Sequence, residues 1–293
     1  KADASRRDFT INSIYSDKDG NLFDPFNGKQ DLENGIINFI GEADKRIKED
    51  YLRILRYLRF FLNYSKQNHN LENVRKIKIN ISGIPKLSKD RLLNELKKLM
   101  KHEILEKLSK DKISLEIIQM IFPEFKNIKI FSKLNSIQKD LLKGKDFIFL
   151  LSLMVIDETD NTDYFLYKFN ISKKDQKRIK SIDNFFKEKI NSKSFTKNNM
   201  DKIFYYQGKE VTLDILSHKM IKSKKVDNLL IELIKYYEKK TTPIMPVNAD
   251  LLMKKYKITE GKYLGDKLKI IEDQWVKNNF KISDEDIDNI VNS

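Results

Sequence analysis

The 293-residue chain carries 57 Lys and Arg against 43 Asp and Glu, a formal net charge of +14, and 40% of its residues are hydrophobic. That composition supports a buried core and excludes a disordered polycation. The absence of cysteine rules out a disulfide framework, Cys-ligated zinc and a thiol nucleophile, and His69, His102 and His218 are too scattered for an HExxH metal site.

In chain order, Ala2 to Asn12 is read as a short helix. Ile14 to Tyr15 and Leu22 to Phe23 flank Asp17-Lys18-Asp19-Gly20-Asn21, which is a hairpin signal. Asp24 to Gly28 reads as a turn, Gln30 to Glu33 as one helical turn, and Ile36 to Ile40 as a short strand closed by Gly41. From Arg46 onward apolar residues recur at helical spacing, as at Leu52, Leu55, Leu58 and Leu62, and no further strand is predicted. Phe147 to Ile156 is an apolar run without charge, far short of the ~20 residues that span a bilayer, and is predicted to be a buried helix. Punctuation at Ser82-Gly83-Ile84-Pro85, Phe122-Pro123, Gly208 and Thr241-Thr242-Pro243 supports boundaries near 45, 105 and 241. The chain starts at Lys1 without a Met or a secretory signal, so it is expected to be cut from a longer, cytoplasmic protein.

The positive charge has two components. The 48 lysines accompany many Asn and Ile residues, as drift toward AT-rich codons would produce, so bulk charge says little. The nine arginines say more: eight fall within the first 91 residues, and a position that stays Arg where Lys is plentiful points to a need for the planar five-donor fork. Two clusters hold most of them. In Arg6-Arg7-Asp8-Phe9-Thr10-Ile11-Asn12, a helix would set Asp8 and Asn12 one turn apart with Arg7 beside them, a donor fork and two acceptors suited to a sugar and phosphates. The alternative is a surface helix with ordinary ion pairs. In Glu49-Asp50-Tyr51-Leu52-Arg53-Ile54-Leu55-Arg56-Tyr57-Leu58-Arg59-Phe60, residues Asp50, Arg53, Arg56 and Arg59 follow at i, i+3 as one stripe of a helix, with one carboxylate for three guanidinia. Such an excess would leave donors free for phosphates or base edges, with Asp50 accepting from an exocyclic amine and Arg53 donating to the ring. A solvated charged face is the competing reading.

These residues form consecutive motifs. "RRDFTINSI", "DPFNGKQDLENGIINFIG", "EDYLRILRYLRF" and "LSKDRLLNEL", with "PVNADLLMKKYKITEGKYLGDKLKIIEDQW" near the C-terminus, resemble in order those of the class II tRNA nucleotidyltransferase (CCA-adding enzyme) and bacterial poly(A) polymerase family. The resemblance implies a mainly α fold: a remnant of an α/β nucleotidyltransferase head (1–45), then an all-α neck (46–105), body (106–240) and tail (241–293). It further implies that CTP and ATP are added to a tRNA 3′ end without a nucleic-acid template, with Mg²⁺ as cofactor, tRNA as partner, and no membrane or protein partner.

By the same resemblance Arg7, Asp8 and Asn12 match the motif holding the nucleotide's sugar and phosphates. Asp50 and Arg53 match the pair that reads the base, with Glu49 beside them and Arg56 and Arg59 in the same motif. Asp24 and Gly28 fall in a hinge-like link, and Asp90, Arg91 and Glu95 in a segment shaping the turn behind the base readers. The family's Asp-x-Asp metal pair and Gly-Gly-x-Val-Arg-Asp loop precede the Arg-Arg-Asp motif. No catalytic or metal-ligating residue is therefore expected in this chain, which alone should be inactive. His218 has no His-Asp pair nearby, so no phosphohydrolase is expected. Poly(A) polymerase, and from another class a non-catalytic helical RNA-binding module, remain the alternatives.

Overall fold

The computed structural model describes residues 2–188, 190–191 and 193–292. It is mainly α, with helix over 67% of the chain and, among the described residues, a single two-stranded sheet. Two compact units divide at Asp183 and Asn184.

In the first unit, α1 (Ala2–Ser5) stops after one turn, so the helix expected from Ala2 to Asn12 is not formed. Phe9 is extended (φ −125°, ψ 153°) and a short 3₁₀ turn covers Thr10–Asn12. The reason is tertiary. Phe9 is fully buried against Phe39 and Phe60, at ring distances of 4.8 and 5.2 Å, and its backbone forms an isolated antiparallel bridge with Phe39. Thr10 N–H donates to Asn38 O and Ile40 N–H to Asp8 O. That bridge is all that forms of the strand expected over 36–40, because its partner stretch turns away after Phe9. The hairpin is present as β1 (Tyr15–Ser16) and β2 (Leu22–Phe23), Tyr15 opposite Phe23. Asp17 Oδ1 accepts from the Asp19 and Asn21 amides across its turn, and Gly20 supplies the positive φ of 85°.

Helix α2 (Gly28–Asn34) begins where the Asp24 carboxylate accepts from the Gly28 and Lys29 amides at 2.7 and 2.8 Å. A Cβ at Gly28 would lie 2.1 Å from Thr10 O, so this motif is a close-packed junction. Then come α3 (Ala43–Glu49), α4 (Arg53–Tyr64), α5 (Leu71–Asn80), a 3₁₀ segment (Ile81–Lys86), α6 (Lys89–Leu99), α7 (His102–Lys110) and α8 (Lys112–Ile121). A further 3₁₀ turn (Ile128–Ser132) leads to α9 (Ser136–Leu142), α10 (Phe147–Val155), α11 (Asn161–Lys168) and α12 (Lys173–Lys187), whose last residues lie beyond the division. Leu52, Leu55, Leu58 and Leu62 are buried as their spacing predicts, and α10 is buried almost throughout. Side-chain caps at Asn70, Ser88, Asp111, Asn135 and Asp146 start five of these helices.

Gly83 decides one local packing. A Cβ there would lie 2.0 Å from the Tyr51 ring. Gly83→Ala is expected to cost about 1–3 kcal/mol by overpacking and to displace Tyr51, with its neighbour Asp50; urea unfolding checks the first consequence, and an unchanged midpoint would refute it.

A buried polar network ties α4 to α8. Tyr57 hydroxyl lies 3.0 Å from His69 Nδ1, His69 Nε2 lies 2.8 Å from Asp111 Oδ2 and 3.1 Å from Ser114 Oγ, and Phe61 stacks on the imidazole. Burial holds the imidazole below its ordinary value against the opposing pull of Asp111. A histidine lowered on folding binds fewer protons folded than unfolded, so stability falls as pH drops through the interval beneath its unfolded value of about 6.5. His69→Gln supplies a neutral acceptor for Tyr57 and a donor for Asp111, so its thermal midpoint should change less between pH 7 and pH 5 than that of the native chain. Equal slopes would sink this reading.

The second unit comprises α13 (Lys197–Lys222), α14 (Asn228–Lys239), α15 (Ala249–Tyr256), α16 (Lys262–Lys277) and α17 (Asp284–Asn292). Gly208 interrupts α13 with φ 83° and ψ 174°, dividing it into two helices. Val247, Leu252, Leu264, Ile271, Ile287, Ile290 and Val291 form one core cluster. Lys267 is buried and donates to Ile290 O near the end of α17 at 2.7 Å. Among the described residues no helix is long and apolar enough to cross a membrane.

Candidate nucleotide site

Arg6, Arg7, Asp8, Asp50, Leu52, Arg53, Arg56 and Arg91 line an open cleft of about 250 Å³ in the first unit. It joins residues more than 40 positions apart, and its geometry follows from three local facts. The chain is extended at Phe9, it breaks between α3 and α4 at Asp50, and α4 carries an arginine at every third position.

Asp8 is only 4% exposed and is the anchor. Its carboxylate accepts from Arg56 Nε and Nη2 and from Asn12 Nδ2, so Asp8 and Asn12 do meet, through a turn in place of the expected helix. Asn12 Oδ1 also accepts from the Phe9 amide at 3.2 Å. Burial is the largest single influence on Asp8 and pushes its carboxyl upward, but the hydrogen bonds from Arg56 and Asn12 and the Arg56 charge together outweigh it and hold the carboxyl below its ordinary value. The half-exposed Arg7 side chain donates to Tyr15 hydroxyl at 3.2 Å, and Tyr15 in turn donates to Asp3 at 2.6 Å. Backbone carbonyls of the same stretch are held from the helices: Arg46 donates to Arg7 O, and Arg53 Nη2 reaches Arg6 O at 3.4 Å.

Asp50 stands between α3 and α4 with extended backbone (φ −154°, ψ 103°), not at the head of a helical stripe. Its two oxygens accept from the Leu52 amide at 3.2 Å and from Arg91 Nη2 at 2.8 Å. Arg53 opens α4; its Nη1 donates to Arg46 O at 2.6 Å and to Glu49 Oε2 at 2.7 Å. Glu49 also accepts from Arg46, and its carboxyl is held below its ordinary value chiefly by the hydrogen bond from Arg53. Arg59 donates to Glu95, which is 2% exposed, lies 4.0 Å from Arg56 and is also paired with Lys98 at 3.1 Å.

The charge excess read along the stripe is therefore balanced from other elements. Arg53 meets Glu49 of α3, Arg56 meets Asp8, and Arg59 meets Glu95 of α6. The structure brings Arg7, Asp8, Asn12, Asp50, Arg53 and Arg56 together at or beside one cleft. Arg59 lies along α4 on the Glu95 side, and Asp24 and Gly28 lie at the α2 junction. The anchoring by Arg46 and the Tyr15–Asp3 support of Arg7 join elements that no local motif links; the confinement of arginines to the first 91 residues is the one sequence signal for Arg46.

The donor set gives no place for a metal. Among the described residues no three His, Asp or Glu side chains converge as a metal ion would require, and the carboxylates lining the cleft are committed to guanidinia, so no step is routed through one.

Residues 1–38 match the Poly A polymerase head domain family. Across nearly its whole length the chain is 29% identical to CCA tRNA nucleotidyltransferase 1, mitochondrial, of Mus musculus, over 97% of this chain and 65% of that protein. It is 32% identical to the CCA-adding enzyme of Staphylococcus haemolyticus over 74% of this chain and 51% of that one. Among solved structures the Bacillus stearothermophilus CCA-adding enzyme in complex with CTP shares its fold, with a TM-score of 0.64, 20% identity, and 94% of this chain and 70% of that chain covered. A tRNA nucleotidyltransferase complexed with a primer tRNA and an incoming ATP analog does so too, with a TM-score of 0.58, 23% identity, and coverage of 80% and 72%. The chain is thus similar over most of its length to CCA-adding enzymes and shares the fold of their solved structures. It spans less than two thirds of the length of the mouse and staphylococcal relatives.

Proposed function

We propose that this chain forms the base-selecting and RNA-holding part of a cytoplasmic tRNA nucleotidyltransferase that adds C, C and A to tRNA 3′ ends from CTP and ATP. The observation that carries the reading is the meeting of Asp50 and Arg53 with the Asp8–Arg56 pair in one cleft. On its pairing edge cytosine presents an amino group beside a bare ring nitrogen, and adenine does the same. Uracil and guanine present a carbonyl beside a ring N–H. A carboxylate that only accepts, next to a guanidinium that only donates, therefore suits both C and A and is mismatched twice by U or G. Asp50 is the acceptor and Arg53 the donor in this reading, with Arg56 and Asp8 holding the sugar and phosphate side together with Arg7 and Asn12.

Nucleotidyl transfer of this kind generally uses a divalent metal, proposed here to be Mg²⁺ held by carboxylates other than those of the cleft. The helices after 105 are proposed to hold the tRNA backbone through lysines, which position without reading sequence. The four-part division into 1–45, 46–105, 106–240 and 241–293 is retained as a proposal about function. The full-length protein, given tRNA lacking its terminal CCA, should incorporate CTP and then a single A. Failure to incorporate C would sink the reading, and repeated A alone would favour poly(A) polymerase.

A further inference from the structure

One turn of α6 separates the arginine cleft from a second cavity. Arg91 lines the cleft, whereas Lys89 and Asp90, immediately before it, line an open cavity of about 700 Å³ that continues over Asp163, Tyr167, Gln176 and Lys180. All of these residues belong to the first unit. Tyr167 of α11 is 87% exposed, and its ring and hydroxyl make no stacking or hydrogen-bond contact among the described residues. Tyr164, one turn earlier, is 58% exposed. Lys180 is bound to Asp163 at 3.0 Å, and the Gln176 side-chain amide donates to Ile171 O at 2.8 Å, so these three polar groups are set in place while the aromatic face is left bare.

We infer that this cavity receives an unpaired nucleobase of an RNA 3′ end, stacked on Tyr167. An exposed ring beside cations is the pattern that binds single-stranded nucleic acid, the base covering the ring and the phosphates meeting lysine. Two lysines against two aspartates give the cavity no net charge, which disfavours a free polyanion such as a nucleoside triphosphate and favours a base with a phosphate on either side. Base pairs keep their faces stacked on one another, so only an unpaired base can lie on the ring. The inference rests on the proposed function in taking an RNA end as the acceptor, and places that end beside the cleft in which the incoming base would be chosen.

The test uses the full-length protein without metal and a fluorescent six-nucleotide single-stranded RNA ending in CC, followed by anisotropy, with CTP binding measured in parallel. Tyr167→Ala should weaken RNA binding roughly 5- to 150-fold and leave CTP binding unchanged, and Tyr167→Trp should restore RNA binding. Lys89→Ala should lower the salt dependence by about one ion. No RNA binding by the native protein, native-like binding by Tyr167→Ala, or a Tyr167→Trp variant as weak as Tyr167→Ala would each overturn the inference. Tyr167-dependent RNA binding in a protein that binds neither CTP nor ATP would uphold this site and remove the proposed function. Normal CTP binding with RNA binding indifferent to Tyr167 would do the reverse.

Discussion

Arg53→Ala in the full-length protein is expected to relax nucleotide choice at least as much as it slows incorporation. In the proposed reading Arg53 is the donor next to the Asp50 acceptor, and its guanidinium is held in place by Arg46 O and Glu49. Without it a uracil ring N–H meets no mismatch on that side, and the remaining discrimination rests on Asp50 alone. The ratio of C to U incorporation should fall by about 1–3 kcal/mol, or roughly 5- to 150-fold, the worth of one well-placed base contact. Asp50→Asn should act from the other side, because an amide can donate to the carbonyl of U or G where a carboxylate cannot. Competition between CTP and UTP on tRNA lacking its end reads both. A variant that is slower but keeps the native C over U ratio would refute the template role of this pair.

Asp8→Ala should have a different signature. Asp8 is buried, is the main partner of Arg56 and also receives Asn12, so its removal leaves a half-buried guanidinium and an amide without their acceptor. Breaking such a pair costs about 2–4 kcal/mol, and because the proposed role of Asp8 is on the sugar and phosphate side, binding of CTP and ATP should weaken alike. The pH dependence follows the same logic. A carboxyl held below its ordinary value contributes stability that is present above its unfolded value of about 3.9 and is lost as pH falls through the lower, folded value. Acid unfolding of Asp8→Ala should accordingly be less steep below pH 4 than that of the native chain. An effect confined to ATP or to CTP would place Asp8 among the base readers.

The helical part of this fold was legible because its signals are periodic and local. Leu52, Leu55, Leu58 and Leu62 declare their face by spacing alone, and the run beginning at Phe147 declares burial by having no polar face. The first 45 residues were less legible, since Phe9 is governed by Phe39 and Phe60, partners 30 and 51 residues away that no local window contains. The same limit applied to the site. That Arg53, Arg56 and Arg59 belong together could be read from their order, but the carboxylates that balance them come from α3, α6 and the segment before the 3₁₀ turn. A one-dimensional count of charge along α4 therefore overstated the free donors. The i, i+3 spacing that suggests a helical Asp50 runs past the point where the chain breaks, between α3 and α4.

The prior engagement of every cleft arginine also bears on kinetics. A guanidinium that already holds a carboxylate gains, on meeting a phosphate or a base, only the difference between the two partners. If the cleft takes nucleotides as proposed, affinity for any single one would then be modest and its residence brief. In the proposed reading, where one kind of nucleotide must leave and another enter within a few cycles, that arrangement would serve, because the protein's own carboxylates would reclaim the arginines as each ligand departs and restore the same starting state for the next.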